Sequence, residues 1–164
     1  MSKRSVSFTL NGKPVSLEVE PRTTLLRALR DHGVTSVKRG CEEGECGTCT
    51  VLLDEVLQKS CMVLALEAGG RSVVTTEGLV GPRGQLHPVQ QAFIDEGAIQ
   101  CGFCTPGMIL SVVDLLRRHP EPTEEQIRVG LSGNLCRCTG YEGIFRAVRK
   151  AAALMKESAQ GGRS

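Results

Sequence analysis

Eight cysteines fall into two groups of four, and no cysteine lies outside them. Cys41, Cys46 and Cys49 are spaced C-x4-C-x2-C, and Cys61 comes after residues 50–60. Cys101 and Cys104 form a C-x2-C pair, and Cys136 and Cys138 a C-x-C pair. A fold for this chain must bring each group together, which restricts the placement of loops more than any local propensity does. Three chemistries use four clustered thiols: a disulfide framework, a tetrahedral zinc site and an iron–sulfur cluster. The N-terminal MSKRSVSFTL has no apolar run long enough for a signal peptide or a membrane span, which argues against the oxidising setting in which disulfides persist. For the second group alone, zinc is a fair rival. In the first group, three ligands crowded around Gly44 and Gly47 suit a binuclear cluster better than one small ion. The x4–x2 spacing is the opening of a plant-type 2Fe-2S loop.

The chain has 164 residues and 40% hydrophobic content, enough for one domain or two small ones, and small ones gain from metal crosslinks. Charge is near balance, with 20 basic against 18 acidic residues, so no nucleic-acid surface is expected. Trp is absent and Tyr141 is the single tyrosine. The usual stacking platforms for a flat organic ligand are therefore missing, which argues against a self-contained flavin site. No G-x-G-x-x-G comes after a strand and there is no P-loop lysine. Nucleotide and substrate binding should fall mainly to other chains.

The pattern along the chain has two parts. Alternation over Ser5 to Leu10 and Val15 to Val19 around Asn11-Gly12 predicts a β-hairpin. Arg22-Thr23-Thr24 can cap a helix through Leu25, Leu26, Ala28 and Leu29, stopped at Gly33. Residues 36–49 are too rich in glycine and cysteine for regular structure. Thr50 to Leu53 reads as a strand, Asp54-Glu55 as a turn, the return to Cys61 as a further strand, and Ser72 to Thr76 as the last. This is a β-grasp pattern like that of plant-type ferredoxins, although there the fourth cysteine usually lies much further along. Gly81, Pro82 and Gly84 mark a linker. The C-terminal half is helical: from Pro88 to Gly97, from Thr105-Pro106 to His119-Pro120, from the capping box Thr123 to Gln126 onward, and from Ile144 through Met155. The expected fold is α+β, a β-grasp ferredoxin-like domain over residues 1–79, a linker over 80–86 and a four-helix-bundle domain over 87–158, with a disordered tail at 159–164.

The glycine-rich first loop should present backbone N–H groups to sulfur, stabilising a negatively charged cluster. Cys101 and Cys104 precede the Pro106 helix, whose positive end favours thiolate. Cys136 and Cys138 flank Arg137 and, in an extended segment, point to one side. Arg137 then faces solvent, a local ion-pair partner or a partner subunit. His87 and His119 each abut a proline and are read as capping residues. Met62, Met108 and Met155 are read as core. Lys38, Arg39, Glu42, Glu43 and Glu45 are either ordinary surface or a docking rim.

CEEGECGTCTV at 41–51 with the short return to Cys61, QCGFCTPGM at 100–108 and GNLCRCTGY at 133–141 together resemble the iron–sulfur subunit of the xanthine oxidase and carbon monoxide dehydrogenase family of molybdenum hydroxylases. The likeness runs from about Val6 to Phe145. It implies two 2Fe-2S clusters, one on Cys41, Cys46, Cys49 and Cys61 and one on Cys101, Cys104, Cys136 and Cys138. It implies no catalytic residue on this chain, and single-electron transfer between a molybdopterin-binding large subunit and an FAD-binding medium subunit. The molybdopterin is expected as its cytosine dinucleotide, and the assembly as a heterotrimer or a dimer of heterotrimers in the cytoplasm. By the same resemblance Gln100 and Cys138 approach the pterin. The alternative is a freestanding two-cluster electron carrier, but such carriers are commonly acidic and this chain is about neutral. A redox sensor would need an incompletely ligated cluster, whereas both cysteine sets are complete.

Overall fold

The computed structural model describes residues 2–161. Strand β1 (Arg4–Leu10) turns at Asn11 and Gly12, both with positive φ, into antiparallel β2 (Lys13–Val19). Helix α1 (Leu25–Asp31) opens on Thr24, whose hydroxyl accepts from the Arg27 amide. After the first cysteine loop come β3 (Thr50–Leu53) and β4 (Val56–Lys59), joined by a turn at Asp54 and Glu55. Those two residues also have positive φ, and the Asp54 carboxylate is held by Arg71 and the Ser72 amide. Strand β5 (Ser72–Val74) runs parallel to β1 and antiparallel to β3, giving the order β2-β1-β5-β3-β4. Leu25, Leu26 and Leu29 bury the inner face of α1 with Val6, Phe8, Val51, Leu53 and Val73 of the sheet. This is a β-grasp arrangement.

The second part holds four helices: α2 (Pro88–Asp95), α3 (Thr105–Arg118), α4 (Glu124–Leu131) and α5 (Glu142–Gly161). Their core joins Val89, Phe93, Met108, Val112, Leu115, Ile127, Ile144 and Val148. The expected caps are present in detail. His87 is the N-cap of α2 and its Nδ1 accepts from the Val89 amide, while Thr123 and Gln126 form a reciprocal capping box on α4. His119 ends α3 and bonds Gln126. No helix of the described residues is long and apolar enough to cross a membrane.

Three features depart from expectation. Short 3-10 turns occupy Ser60–Met62, Ala65–Ala68 and Thr76–Leu79, where the sequence offers no periodic signal. Helix α5 continues to Gly161, so the expected disordered tail is helical at 159–161; residues 162–164 lie outside the described residues. Met62 is 64% exposed, not core, because its 3-10 turn carries Cys61 inward and leaves the next side chain outside.

The two parts are packed against each other. Helix α3 is amphipathic toward its own core, yet Leu110, Ser111 and Asp114 on its other side are buried as well, because that side lies on β3. Arg117 reaches across to the Glu55 carboxylate and carbonyl, and Thr76 donates to the Pro106 carbonyl. The first cysteine loop is part of this junction. A Cβ on Gly107 would stand 2.4 Å from the Gly47 carbonyl oxygen, and one on Gly47 would stand 2.2 Å from that of Gly133. Only glycine permits such an approach, and Gly47 also has φ +71.

Candidate metal centres

The first loop is irregular but well tethered. Arg30 donates to the carbonyls of Thr35 and Val37, and the Lys38 amide bonds the Thr48 carbonyl. Glu42 adopts a positive φ of 57 and its carboxylate is gripped by Arg39 at 2.6 Å and Arg27 at 3.1 Å. These hydrogen bonds, from Arg39 first and then Arg27, hold the Glu42 carboxyl below its ordinary pKa. Of the charged residues flanking the loop, Glu42 is thus a structural anchor as well as surface.

Each quartet resolves into two sulfur pairs. In the first, Cys41 lies beside Cys46 and Cys61 beside Cys49. In the second, Cys138 Sγ is 3.5 Å from Cys101 Sγ, and Cys104 contacts Cys136. All eight thiols are free. Among the described residues no three His, Cys, Asp or Glu side chains converge as ligands of a single ion. Four thiolates disposed two and two fit a 2Fe-2S cluster, in which a pair of ligands serves each iron.

The electrostatics differ across each quartet. Cys41 accepts from the amides of Glu43 and Cys46 at 3.4 Å, and Cys46 from the amide of Cys41 at 3.5 Å. Backbone hydrogen bonds, that of Cys46 foremost, lower the Cys41 thiol to about 7. The donors come mainly from Cys and Glu residues turned inward around the glycines, with Gly44 contributing to Cys61. Burial pushes Cys61 up to about 11 and Cys104 up to about 12. At Cys104 desolvation therefore overrides the helix-end effect anticipated from the Pro106 helix; Cys104 is itself the N-cap of α3 and only 9% exposed. Ligation requires thiolate, so a metal bound here would have to supply the charge that stabilises these two sulfurs when deprotonated.

Burial also gives the second quartet a direction. Cys104 is buried and Cys136 half-buried, whereas Cys101 and Cys138 are exposed. Next to these cysteines in sequence, Gln100 is exposed, as are the apolar side chains of Ile99, Phe103 and Leu135. Arg137, between the two cysteines, is exposed. On the inner side, the Leu135 amide donates at 2.9 Å to the Cys46 carbonyl, and Asn134 Nδ2 donates at 2.9 Å to the Gly47 carbonyl. Asn134 is a junction residue whose role the sequence does not mark: it appears there only as part of the GNLCRCTGY stretch. Tyr141 stands out in the sequence only as an aromatic, yet its hydroxyl accepts from the Cys136 amide at 2.8 Å.

A β-grasp domain with a four-helix domain after it, each with its own thiol quartet, is the architecture of a two-domain iron–sulfur protein. Residues 8–71 match the family described as 2Fe-2S iron-sulfur cluster binding domain, and residues 75–149 the [2Fe-2S] binding domain family. The nicotinate dehydrogenase small FeS subunit of Eubacterium barkeri is 49% identical over 152 residues, covering 92% of this chain and 96% of that one. The xanthine dehydrogenase iron-sulfur-binding subunit of Escherichia coli O157:H7 is 47% identical over 146 residues, covering 88% and 91%. A chain of the crystal structure of quinoline 2-oxidoreductase from Pseudomonas putida 86 superposes with a TM-score of 0.91 at 43% identity, covering both chains fully. The chain belongs to the family of iron–sulfur small subunits of the xanthine dehydrogenase type, within the molybdenum hydroxylases.

Proposed function

We propose that this chain carries single electrons within a molybdenum hydroxylase-type complex, between a molybdopterin-binding large subunit and an FAD-binding medium subunit. In this reading Cys41, Cys46, Cys49 and Cys61 hold one 2Fe-2S cluster and Cys101, Cys104, Cys136 and Cys138 the other. Residues 1–79 and 87–158 are the two domains, joined by 80–86. Such clusters, when bound, accept and release one electron at a time. The chain's own part is to hold two thiolate sets at a fixed separation, shield their inner halves from water and leave one outer half open.

The observation that carries this reading is the Leu135–Cys46 hydrogen bond, which links the residue before Cys136 to a member of the first quartet. The exposed pair Cys101 and Cys138 adjoins in sequence exposed Gln100 and the exposed apolar side chains of Ile99, Phe103 and Leu135. Open apolar side chains around a redox centre suit a subunit with a lasting interface better than a carrier that must dissociate after each transfer. A cytoplasmic heterotrimer, or a dimer of heterotrimers, is the assembly we infer, with the pterin cofactor next to Gln100 and Cys138.

The test uses the reconstituted complex with Cys138→Ser or Gln100→Ala, tracking reduction of each centre and of the flavin after substrate is added. Cys138→Ser should slow electron arrival at the flavin, and Gln100→Ala should chiefly weaken coupling to the molybdopterin subunit. Flavin reduction at the unaltered rate in both variants would show that electrons do not pass through this end of the chain.

A further inference from the structure

We propose that Thr139 is a positioning residue for the helical-domain centre: its hydroxyl donates to Cys136 Sγ and makes that centre easier to reduce. The inference rests on the ligation proposed above and deepens it by naming a residue that sets the relative potentials of the two centres.

The geometry is a closed ring of three contacts. Thr139 Oγ1 lies 3.1 Å from Cys136 Sγ, the Tyr141 amide donates to Thr139 Oγ1 at 3.2 Å, and the Cys136 amide donates to the Tyr141 hydroxyl at 2.8 Å. The Thr139 amide also approaches Cys136 Sγ, at 3.5 Å. A threonine hydroxyl has one proton and two lone pairs. Here the Tyr141 N–H occupies an acceptor position on the oxygen, and the sulfur is the acceptor that faces the hydroxyl. The proton is thereby directed at Cys136. Tyr141 sustains this arrangement with φ +67, a conformation uncommon for an aromatic residue, while its ring packs beside Phe145.

The first centre offers an internal comparison. Thr48 Oγ1 lies 3.3 Å from Cys46 Sγ, but it is also 3.3 Å from the Lys38 carbonyl oxygen, to which it can donate. One proton cannot serve both acceptors fully, so the hydroxyl of Thr48 is shared where that of Thr139 is committed. Uptake of one electron adds negative charge to the thiolate-bound centre, and a donor aimed at a ligand sulfur stabilises the reduced form more than the oxidised one. The helical-domain centre should therefore owe part of its electron affinity to Thr139, and the ferredoxin-like centre less to Thr48.

The experiment is a redox titration of the full chain, or of the complex, in the wild type, Thr139→Val, Thr139→Ser and Thr48→Val, with each centre tracked by its own paramagnetic signal. Thr139→Val should lower the potential of one centre alone, by on the order of a tenfold change in its reduction equilibrium, about 59 mV for one electron. Thr139→Ser should return it toward the wild-type value, and Thr48→Val should shift the other centre by less. Of the exchangeable protons coupled to this centre, the one from the hydroxyl should disappear in Thr139→Val and reappear in Thr139→Ser, while that of the residue 139 amide persists in every variant. Unchanged potentials in Thr139→Val overturn the proposal, as does loss of the centre in both Thr139 variants, which would make the residue a scaffold only. A single signal in the wild type would instead overturn the ligation beneath it, a failure visible before any variant is compared.

Discussion

The amide of Leu135 donates to the carbonyl of Cys46 across 2.9 Å, joining the cysteine loop of one domain to that of the other. Around this bond the junction is closely packed and its polar groups are paired. Asn134 is buried, donates to the Gly47 carbonyl and accepts from Ser111 at 2.6 Å. The two sulfur quartets are thus fixed to each other by backbone and a buried amide, not merely connected by residues 80–86.

Gly107→Ala tests how tight that junction is. Its Cβ would meet the Gly47 oxygen at 2.4 Å and Asn134 Nδ2 at 3.0 Å, so backbone must move. The cost should be about 1–3 kcal/mol in denaturant unfolding, with an altered magnetic interaction between the reduced centres. Wild-type stability in this variant would mean that the domains are not held at Gly47.

Asn134→Ala should cost about 1–3 kcal/mol by leaving the buried Ser111 hydroxyl without its acceptor and removing one donor from the Gly47 carbonyl, which keeps those of Thr50. Combined with Gly107→Ala, its effect should be less than additive, because removal of the amide relieves part of the same clash. A double-mutant cycle in urea checks both statements.

Glu77 provides a pH signature away from the sulfurs. Partial desolvation raises its carboxyl, but hydrogen bonds from Ser36 and Thr75 outweigh this and leave the pKa below its ordinary value. A group depressed in the folded state stabilises the fold above its unfolded pKa and loses that contribution as pH falls through the folded one. Glu77→Gln should therefore lower the melting temperature at neutral pH and converge with the wild type once the pH is well below 4.5. Parallel pH profiles for the two proteins would show that Glu77 contributes no linked stability.

Much of this architecture is legible in the residues. Asn11-Gly12, Thr24, the Thr123 capping box and Pro88 act locally, so the hairpin and the helix starts and stops arise from short-range chemistry. The cysteine spacing likewise marks both quartets. The features that escape depend on contacts between distant segments. Nothing local says that α3 buries Ser111 and Asp114 against β3, that Asn134 seals the junction, or that desolvation at Cys104 outweighs a helix end. Met62 leaves its expected core position for a related reason: apolar character fits either side of a 3-10 turn, and only the position of Cys61 decides which residue turns inward.

Because the quartets draw on separate loops, Cys49→Ala should abolish the signal of the ferredoxin-like centre and spare the other, and Cys104→Ala should do the reverse. Both side chains are buried, so the loss of each centre should also lower stability in the domain concerned. Disappearance of both signals from either folded variant would contradict independent ligation.

Two binuclear centres on one chain have a fixed composition. Chemical analysis of the isolated, fully loaded chain, paired with spectroscopy after reduction, measures it directly. About four iron and about four acid-labile sulfide per polypeptide are expected, two of each per cluster, with two distinguishable paramagnetic signals. Stoichiometric zinc, or about two iron with one signal, would contradict two such centres.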